Sequence, residues 1–129
     1  MDEQQWMRPL TAHIRALVQQ RHFSEAESEA AKAMANAPHA AQPHNLMGIV
    51  SESRGDHVQA MKHFRAAWAL DPTFLPARVN MERYGSFPGR LAPPAYDDAD
   101  LPPYHAESRR AYRMEYDENG VGHVVRRNK

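Results

Sequence analysis

Residues 41–74 read AQPHNLMGIVSESRGDHVQAMKHFRAAWALDPTF, and their apolar residues recur at helical spacing. Pro43 suits the first turn of a helix, where the backbone amides have no partner within the helix. Gly55 interrupts the pattern, because glycine readily adopts the left-handed backbone that ends a helix. After this glycine, a second predicted helix has one apolar face, formed by Ala60, Phe64, Ala67 and Trp68. Pro72 ends this second helix, since the residue before a proline disfavours helical geometry. The segment therefore predicts two helices joined by a turn.

The same pattern occurs earlier in the chain. One constant shift aligns Pro9, Ala26, Ala33, Ala35 and Pro38 with Pro43, Ala60, Ala67, Ala69 and Pro72. The shared prolines fall at predicted helix edges, and the shared alanines fall at helical intervals. This recurrence predicts an internal repeat of helix pairs.

These residues resemble the tetratricopeptide repeat family, whose unit is a helix–turn–helix of about 34 residues. The matching positions of the unit 41–74 are Met47, Gly48, Gly55, Asp56, Ala60, Phe64, Ala67 and Pro72. Two positions depart from the family pattern, because His44 replaces the usual aromatic residue and Ser51 replaces a large one. The resemblance covers residues 7–84, with a degenerate copy first and a third copy that ends near Gly85.

The resemblance implies an all-α fold, a solenoid of about five antiparallel helices over residues 1–85. Small residues at the helix crossings would let the larger side chains interdigitate. The implied packing residues are Leu10, Leu17, Ala26, Ala33, Met47, Gly48, Ala60, Phe64, Ala67, Trp68 and Pro72.

The resemblance also implies a groove, lined by the first helix of each pair, that binds a peptide or helix of a partner protein. Its residues would be Thr11, Arg15, Gln19, Asn45, Ile49, Glu52, Val79, Asn80 and Arg83. Arg15 and Arg83 are able to bind a carboxylate with two parallel hydrogen bonds. One subset of the family binds the C-terminal carboxylate of heat-shock chaperones. The side chains needed for that are absent at Thr11, Arg15, Leu46, Pro76 and Asn80, so this specialised role is not expected.

The C-terminal part of the chain differs in composition from the repeats. Five of the ten prolines lie between residues 88 and 103, which predicts an extended linker over residues 86–111. Residues 112–129 are expected to form a β-hairpin or a flexible tail. A two-residue turn at Asn119-Gly120 would set Tyr116 opposite His123 and Arg113 opposite Arg126.

No capping helix is apparent after Gly85, which leaves two alternatives open. In one, the tail folds back onto the helices through apolar residues among Phe87, Leu91, Tyr96, Leu101 and Tyr104. In the other, the open helix face pairs with a second copy or with a partner. A homodimer is thus one of the expected states.

Composition excludes several classes of function. The 129 residues carry 16 Lys+Arg and 16 Asp+Glu, so the general positive charge of a nucleic-acid or membrane binder is missing. There is no cysteine, and the first residues have no secretory signal pattern, so a cytoplasmic protein is expected.

No pattern predicts an enzyme, a metal site, a cofactor or a small-molecule substrate. The eight histidines lack the spacing that aims two ligands from one helix face, and Asp97–Asp100 lacks the glycine of a calcium loop. The sequence therefore predicts a non-enzymatic interaction module for a protein or peptide. The alternatives are a small chaperone or assembly factor, and a self-associating scaffold.

Overall fold

The computed structural model of the protein describes residues 3–85, 93–102, 112–116 and 122–126. Its helices are α1 Glu3–Gln19, α2 Phe23–Asn36, α3 Ala41–Ser53, α4 His57–Leu70 and α5 Leu75–Tyr84. A short 3-10 turn spans Asp98–Asp100, and strands β1 Tyr112–Tyr116 and β2 Gly122–Arg126 form an antiparallel pair. The predicted all-α architecture of residues 7–84 is confirmed, with five helices in that part of the chain.

The helix boundaries repeat at the same interval as the sequence pattern. Helices α2 and α4 have 14 residues each and begin at Phe23 and His57. Helices α3 and α5 begin at Ala41 and Leu75, which is the same separation. The sequence repeat therefore produces a structural repeat, in which each helix packs against the next along the chain.

The turns within the helix pairs repeat as closely as the helices. The His22 N–H donates to the Leu17 carbonyl at 2.8 Å, and the Asp56 N–H donates to the Ser51 carbonyl at 2.8 Å. These bonds pair carbonyl groups at the helix ends that have no partner within their own helices. The α1–α2 and α3–α4 turns thus share one hydrogen-bond pattern despite different side chains.

The shared turn needs a left-handed backbone at one position. Gly55 has φ +88°, and the equivalent Arg21 has φ +62°. A residue with a Cβ is strained there, because the Cβ crowds the neighbouring carbonyl. Arg21 places its guanidinium 5.3 Å from the ring centroid of Phe23. The first helix pair therefore keeps the turn geometry at the expense of backbone strain.

Helices α3 and α4 approach closely because Gly48 has no side chain. A Cβ at this position would lie 2.5 Å from the nearest ring carbon of Phe64. The Phe64 ring is fully buried and stacks on Tyr84 with 6.1 Å between ring centroids. The fully buried small residues of the helix pairs are Ala26, Ala30, Ala60, Ala67 and Ala77. Small residues thus occupy the crossings, as the packing argument predicts.

Trp68 departs from its predicted packing role. Its side chain is 39% exposed on α4, and the Arg78 guanidinium lies 6.0 Å from the ring centroid. The helical spacing that buries Ala60 and Phe64 carries Trp68 to the edge of the same face. Leu10 and Pro72 are partly buried rather than enclosed.

Pro9 also departs from its predicted position at a helix edge, because it lies inside α1. The turn before it packs through Met7 and Trp6 against Ala37 and Ala40, which lie between α2 and α3. This contact stabilises an N-terminal part of α1 that precedes the predicted repeat unit.

The β-hairpin forms with a different register from the predicted one. Tyr116 is paired with Gly122 rather than with His123, and Arg113 is paired with Val125 rather than with Arg126. The predicted register would place two arginines opposite each other, which like charge disfavours. Residues 117–121, which include the predicted Asn-Gly turn, lie outside the described residues.

The repeated turn allows a direct test of backbone strain. We expect Arg21→Gly to be more stable than Arg21→Ala by about 1 kcal/mol, because both variants lose the guanidinium and only alanine keeps a Cβ at positive φ. We expect Gly55→Ala to lose a similar amount relative to the original chain. Urea unfolding of the variants measures both differences. Equal stability of the two Arg21 variants would contradict the assigned turn.

Helices α3 and α4 also bring His44 and His63 together, with 5.8 Å between ring centroids. The buried Nδ1 of His44 has no hydrogen-bond partner among the described residues. Burial lowers the pKa of His44 below the usual 6.5. The pKa of His63 is also lowered, mainly by burial and further by the neighbouring His44. Both rings are therefore more readily protonated in the unfolded chain.

This difference predicts acid sensitivity. We expect the free energy of unfolding to fall as the pH drops below about 6.5, because the unfolded state then binds more protons than the folded state. The double variant His44→Gln/His63→Gln should lose less stability than the original chain between about pH 7.5 and about pH 5.5. His39→Gln, at an exposed position, is the control. Urea unfolding at both pH values tests this, and an unchanged pH dependence in the double variant would contradict it.

Candidate functional site

Part of the odd-helix face, formed by α1, α3 and α5, is occupied by residues 93–102 of the same chain. This 93–102 segment lies beside α5, and hydrogen bonds also join it to side chains of α3 and α1. Arg83 on α5 donates to the Pro93 carbonyl at 2.6 Å. At the far end, Arg15 on α1 lies 2.5 Å from a carboxylate oxygen of Asp100. The segment that the composition predicts as a linker therefore lies against the predicted groove.

Two buried asparagines hold the main chain of Ala95. The Asn80 side chain donates to the Ala95 carbonyl at 2.8 Å and accepts from the Ala95 N–H at 2.8 Å. The Asn45 side chain donates to the same carbonyl at 3.0 Å. Asn80 also donates to Asn45 Oδ1 at 2.9 Å. Asn80 therefore pairs with Ala95 much as a neighbouring β-strand would.

Burial makes these hydrogen bonds important. Asn45, Asn80 and Ala95 are all fully buried. A buried amide without a partner costs about 1–3 kcal/mol. The main chain of Ala95 and the two side-chain amides satisfy one another, so the segment and the face are energetically coupled.

Tyr96 anchors the segment in the core. It is 6% exposed and belongs to the same apolar cluster as Phe64 and Leu46. The Arg15 guanidinium lies 4.4 Å from the Tyr96 ring centroid, which is a cation–π geometry. Burial raises the pKa of Tyr96 to about 12, although Arg15 favours the phenolate and opposes this shift. The ring therefore remains a neutral phenol at physiological pH.

Asp100 completes a compact loop around Arg15. The Asp100 carboxylate accepts from the Tyr96 N–H at 3.0 Å as well as from Arg15. Asp97 caps the 3-10 turn by accepting from the Ala99 N–H at 3.0 Å. The acidic residues Asp97–Asp100 therefore do more than face solvent, because the Asp100 carboxylate pairs with Arg15, a predicted groove residue.

A cleft of about 620 Å³ lies beside the segment, between α1 and the loop 96–99. Thr11, Arg15 and Gln19 line it from α1, and Phe74 lines it from the α4–α5 connection. Part of the odd-helix face thus remains open next to the bound segment.

The predicted groove residues fall into distinct groups. Arg15, Asn45, Asn80 and Arg83 contact the 93–102 segment. Thr11 and Gln19 line the cleft. The remaining predicted residues are Ile49 and Val79, which are buried, and Glu52, whose carboxylate lies 2.9 Å from Nδ1 of His57.

Sequence reasoning missed the role of Pro93, Ala95 and Asp100 in this site. The available signals were Tyr96, as an apolar residue of a tail that folds back, and the acidic residues Asp97–Asp100, as a contact for a basic group. A tyrosine and a carboxylate four positions apart indicate nothing by themselves until Arg15 is seen between them.

Comparison with known proteins found no matching family model, no matching curated protein and no matching solved structure. None of the described helices has the length and apolar character needed to cross a membrane. In the described part of the chain, no cluster of three or more His, Asp or Glu side chains is placed to hold a metal ion.

The asparagine contacts predict a specific loss of stability. We expect Asn80→Ala to lower the free energy of unfolding by about 1–3 kcal/mol, because Ala95 and Asn45 lose a buried partner. Amide exchange at Ala95 should also become faster, since its N–H is bonded to Asn80. Asn36→Ala, at the exposed end of α2, is the control for replacing a helical asparagine. Equal effects of the two substitutions would contradict the assigned role of Asn80.

Proposed function

We propose that the helices form a tetratricopeptide-type solenoid that acts in the cytoplasm as a non-enzymatic interaction module. In this proposal the odd-helix face binds an extended peptide of a partner protein. The equal separation of the starts of α2 and α4 and of α3 and α5, together with the repeated turns, supports the solenoid. The neutral overall charge also suits a protein partner better than a nucleic acid.

One observation carries the proposal, namely that the face already holds a non-helical peptide segment through main-chain atoms of Pro93 and Ala95. Asn45, Asn80 and Arg83 bind backbone atoms of Ala95 and Pro93. Contacts of this kind do not depend on the side chains of the ligand, so they suit any extended peptide. The small size of the face favours binding in the micromolar range, about that of a small transient interface.

A self-associating scaffold or a small chaperone is the second candidate. Trp68 and Val58 on α4 are 39% and 65% exposed, and they lie on a different helix from the odd-helix face. Exposed apolar side chains of this size suit contact with a second copy or with an apolar client segment. Light scattering across protein concentration distinguishes the candidates, since a monomer at all concentrations argues against the scaffold.

Selection from a displayed library of random peptides tests the interaction module. The bait is a release variant of the full chain, Tyr96→Ser/Asp100→Ser, which removes two anchors of the segment and keeps every residue of the helices. We expect enriched peptides to bind the release variant and to lose at least about tenfold in affinity when Arg15→Gln is added, because the cation no longer binds them.

A matched control shows whether the selected peptides occupy the odd-helix face. Arg65→Gln makes the same change at an exposed position of α4 and should leave binding unchanged. Failure to enrich any peptide would contradict the proposed function. Peptides that are sensitive to Arg65→Gln but not to Arg15→Gln would place the interaction elsewhere.

A further inference from the structure

The contacts of the 93–102 segment define what kind of side chains the odd-helix face accepts. Ala95 is fully buried, so only a small side chain fits at this position without overpacking. Tyr96 follows it, with its ring in the apolar cluster and under Arg15. Asp100 then reaches the same arginine four positions later. The face is therefore complementary to a small residue, an adjacent aromatic residue and a carboxylate shortly after it.

The same contacts are open to exchange at the α1 end. The side chains of Arg15 and Asp100 are 35% and 23% exposed, so their ion pair is accessible to water. The cleft beside them runs along α1 between Met7 and Gln19. A competing peptide thus has space to bind next to the segment before the segment leaves.

The main-chain contacts do not distinguish the segment from another peptide. Asn80 and Asn45 bind the N–H and carbonyl of Ala95, and Arg83 binds the Pro93 carbonyl. Any extended chain presents these groups at the same spacing, and the amides left by one chain would pair with the next. Displacement therefore exchanges hydrogen bonds rather than losing them.

We propose that the 93–102 segment is an intramolecular ligand that blocks the odd-helix face against partners of its own chemistry. The partner is an acidic peptide that presents a small residue and then a tyrosine or other aromatic residue, and that turns so that an aspartate or glutamate four positions after the aromatic one reaches Arg15. This inference rests on the proposed function and adds the ligand class and its regulation.

The length of chain that joins the 93–102 segment to α5 determines how strongly the segment blocks the odd-helix face. Only residues 86–92 lie between Gly85, which follows the last residue of α5, and the start of the segment. Short tethers give effective concentrations of about 1 mM. If the untethered segment binds the free face with a Kd of about 10 µM, a competing peptide would then bind the intact chain about 100-fold more weakly than the free face.

A labelled synthetic peptide of residues 93–102, PPAYDDADLP, tests the inference with full-length proteins. We expect micromolar binding to the release variant Tyr96→Ser/Asp100→Ser, and binding to the original chain that is about 10–100-fold weaker. A second release variant, Asp100→Lys, keeps Tyr96 in the core and repels Arg15. It should bind the peptide more tightly than the original chain, and circular dichroism checks that both variants remain helical.

Charge reversal distinguishes recognition from a general effect on stability. Arg15→Glu in the release variant should lose the peptide. The same Arg15→Glu variant should bind a changed peptide, in which arginine replaces the aspartate equivalent to Asp100. The ion pair is then restored with the two charges exchanged. Arg65→Glu on α4 is the matched control and should leave binding of the original peptide unchanged. A peptide with the same composition in scrambled order should not bind.

The outcomes separate this inference from the proposed function. If library peptides bind the release variant but PPAYDDADLP does not, the face is a peptide site and the inferred ligand class is wrong. If PPAYDDADLP binds the original chain as tightly as the folded release variants, the segment does not block the face. If neither PPAYDDADLP nor any library peptide binds the folded release variants, both proposals fail and the segment is only a structural strap.

Discussion

The hydrogen bonds between Asn45, Asn80 and the main chain of Ala95 are the constraint on which the site depends. Two carboxamide groups are fully buried where α3 and α5 meet, and a buried polar group is stable only when it is paired. The helices alone supply one bond, from Asn80 to Asn45. The other three come from Ala95, so the odd-helix face includes a position for a peptide backbone.

The helix repeat makes this position possible. Asn45 and Asn80 lie on helices that start one repeat apart, at Ala41 and Leu75, so the repeat sets how far apart their amides stand. The close approach of α3 to α4 at Gly48 is part of the same geometry, because it lets Phe64 reach Tyr84 on α5. A larger residue at the crossing would move α3, and with it Asn45. Packing on one side of the helices thus determines hydrogen bonding on the other.

Local sequence pattern was sufficient to predict the helices, but it did not predict that the 93–102 segment lies on them. Gly55 and Pro72 mark helix ends through backbone effects that act over a few residues, so the ends of α3 and α4 could be read from the sequence, whereas Pro9 inside α1 gave the wrong boundary. The contact of Ala95 with Asn45 joins residues 50 positions apart, and no local signal encodes it. Prolines predict an extended chain at residues 93–102 but not the surface on which that chain lies. The register of β1 and β2 could not be read from local pattern either, because alternative registers differ only in which residues are set opposite each other.

The site combines main-chain contacts with side-chain contacts, and in the proposed function this combination lets one face bind both its own chain and a partner. Asn45, Asn80 and Arg83 bind main-chain atoms and therefore give affinity without selecting a sequence. Arg15 contacts an aromatic ring and a carboxylate together, so it would supply the selectivity in the proposed interaction. Because Arg15 is also partly exposed and borders the open cleft, its ion pair with Asp100 is the selective contact that solvent reaches first, and in the proposed interaction a competitor would reach it first as well.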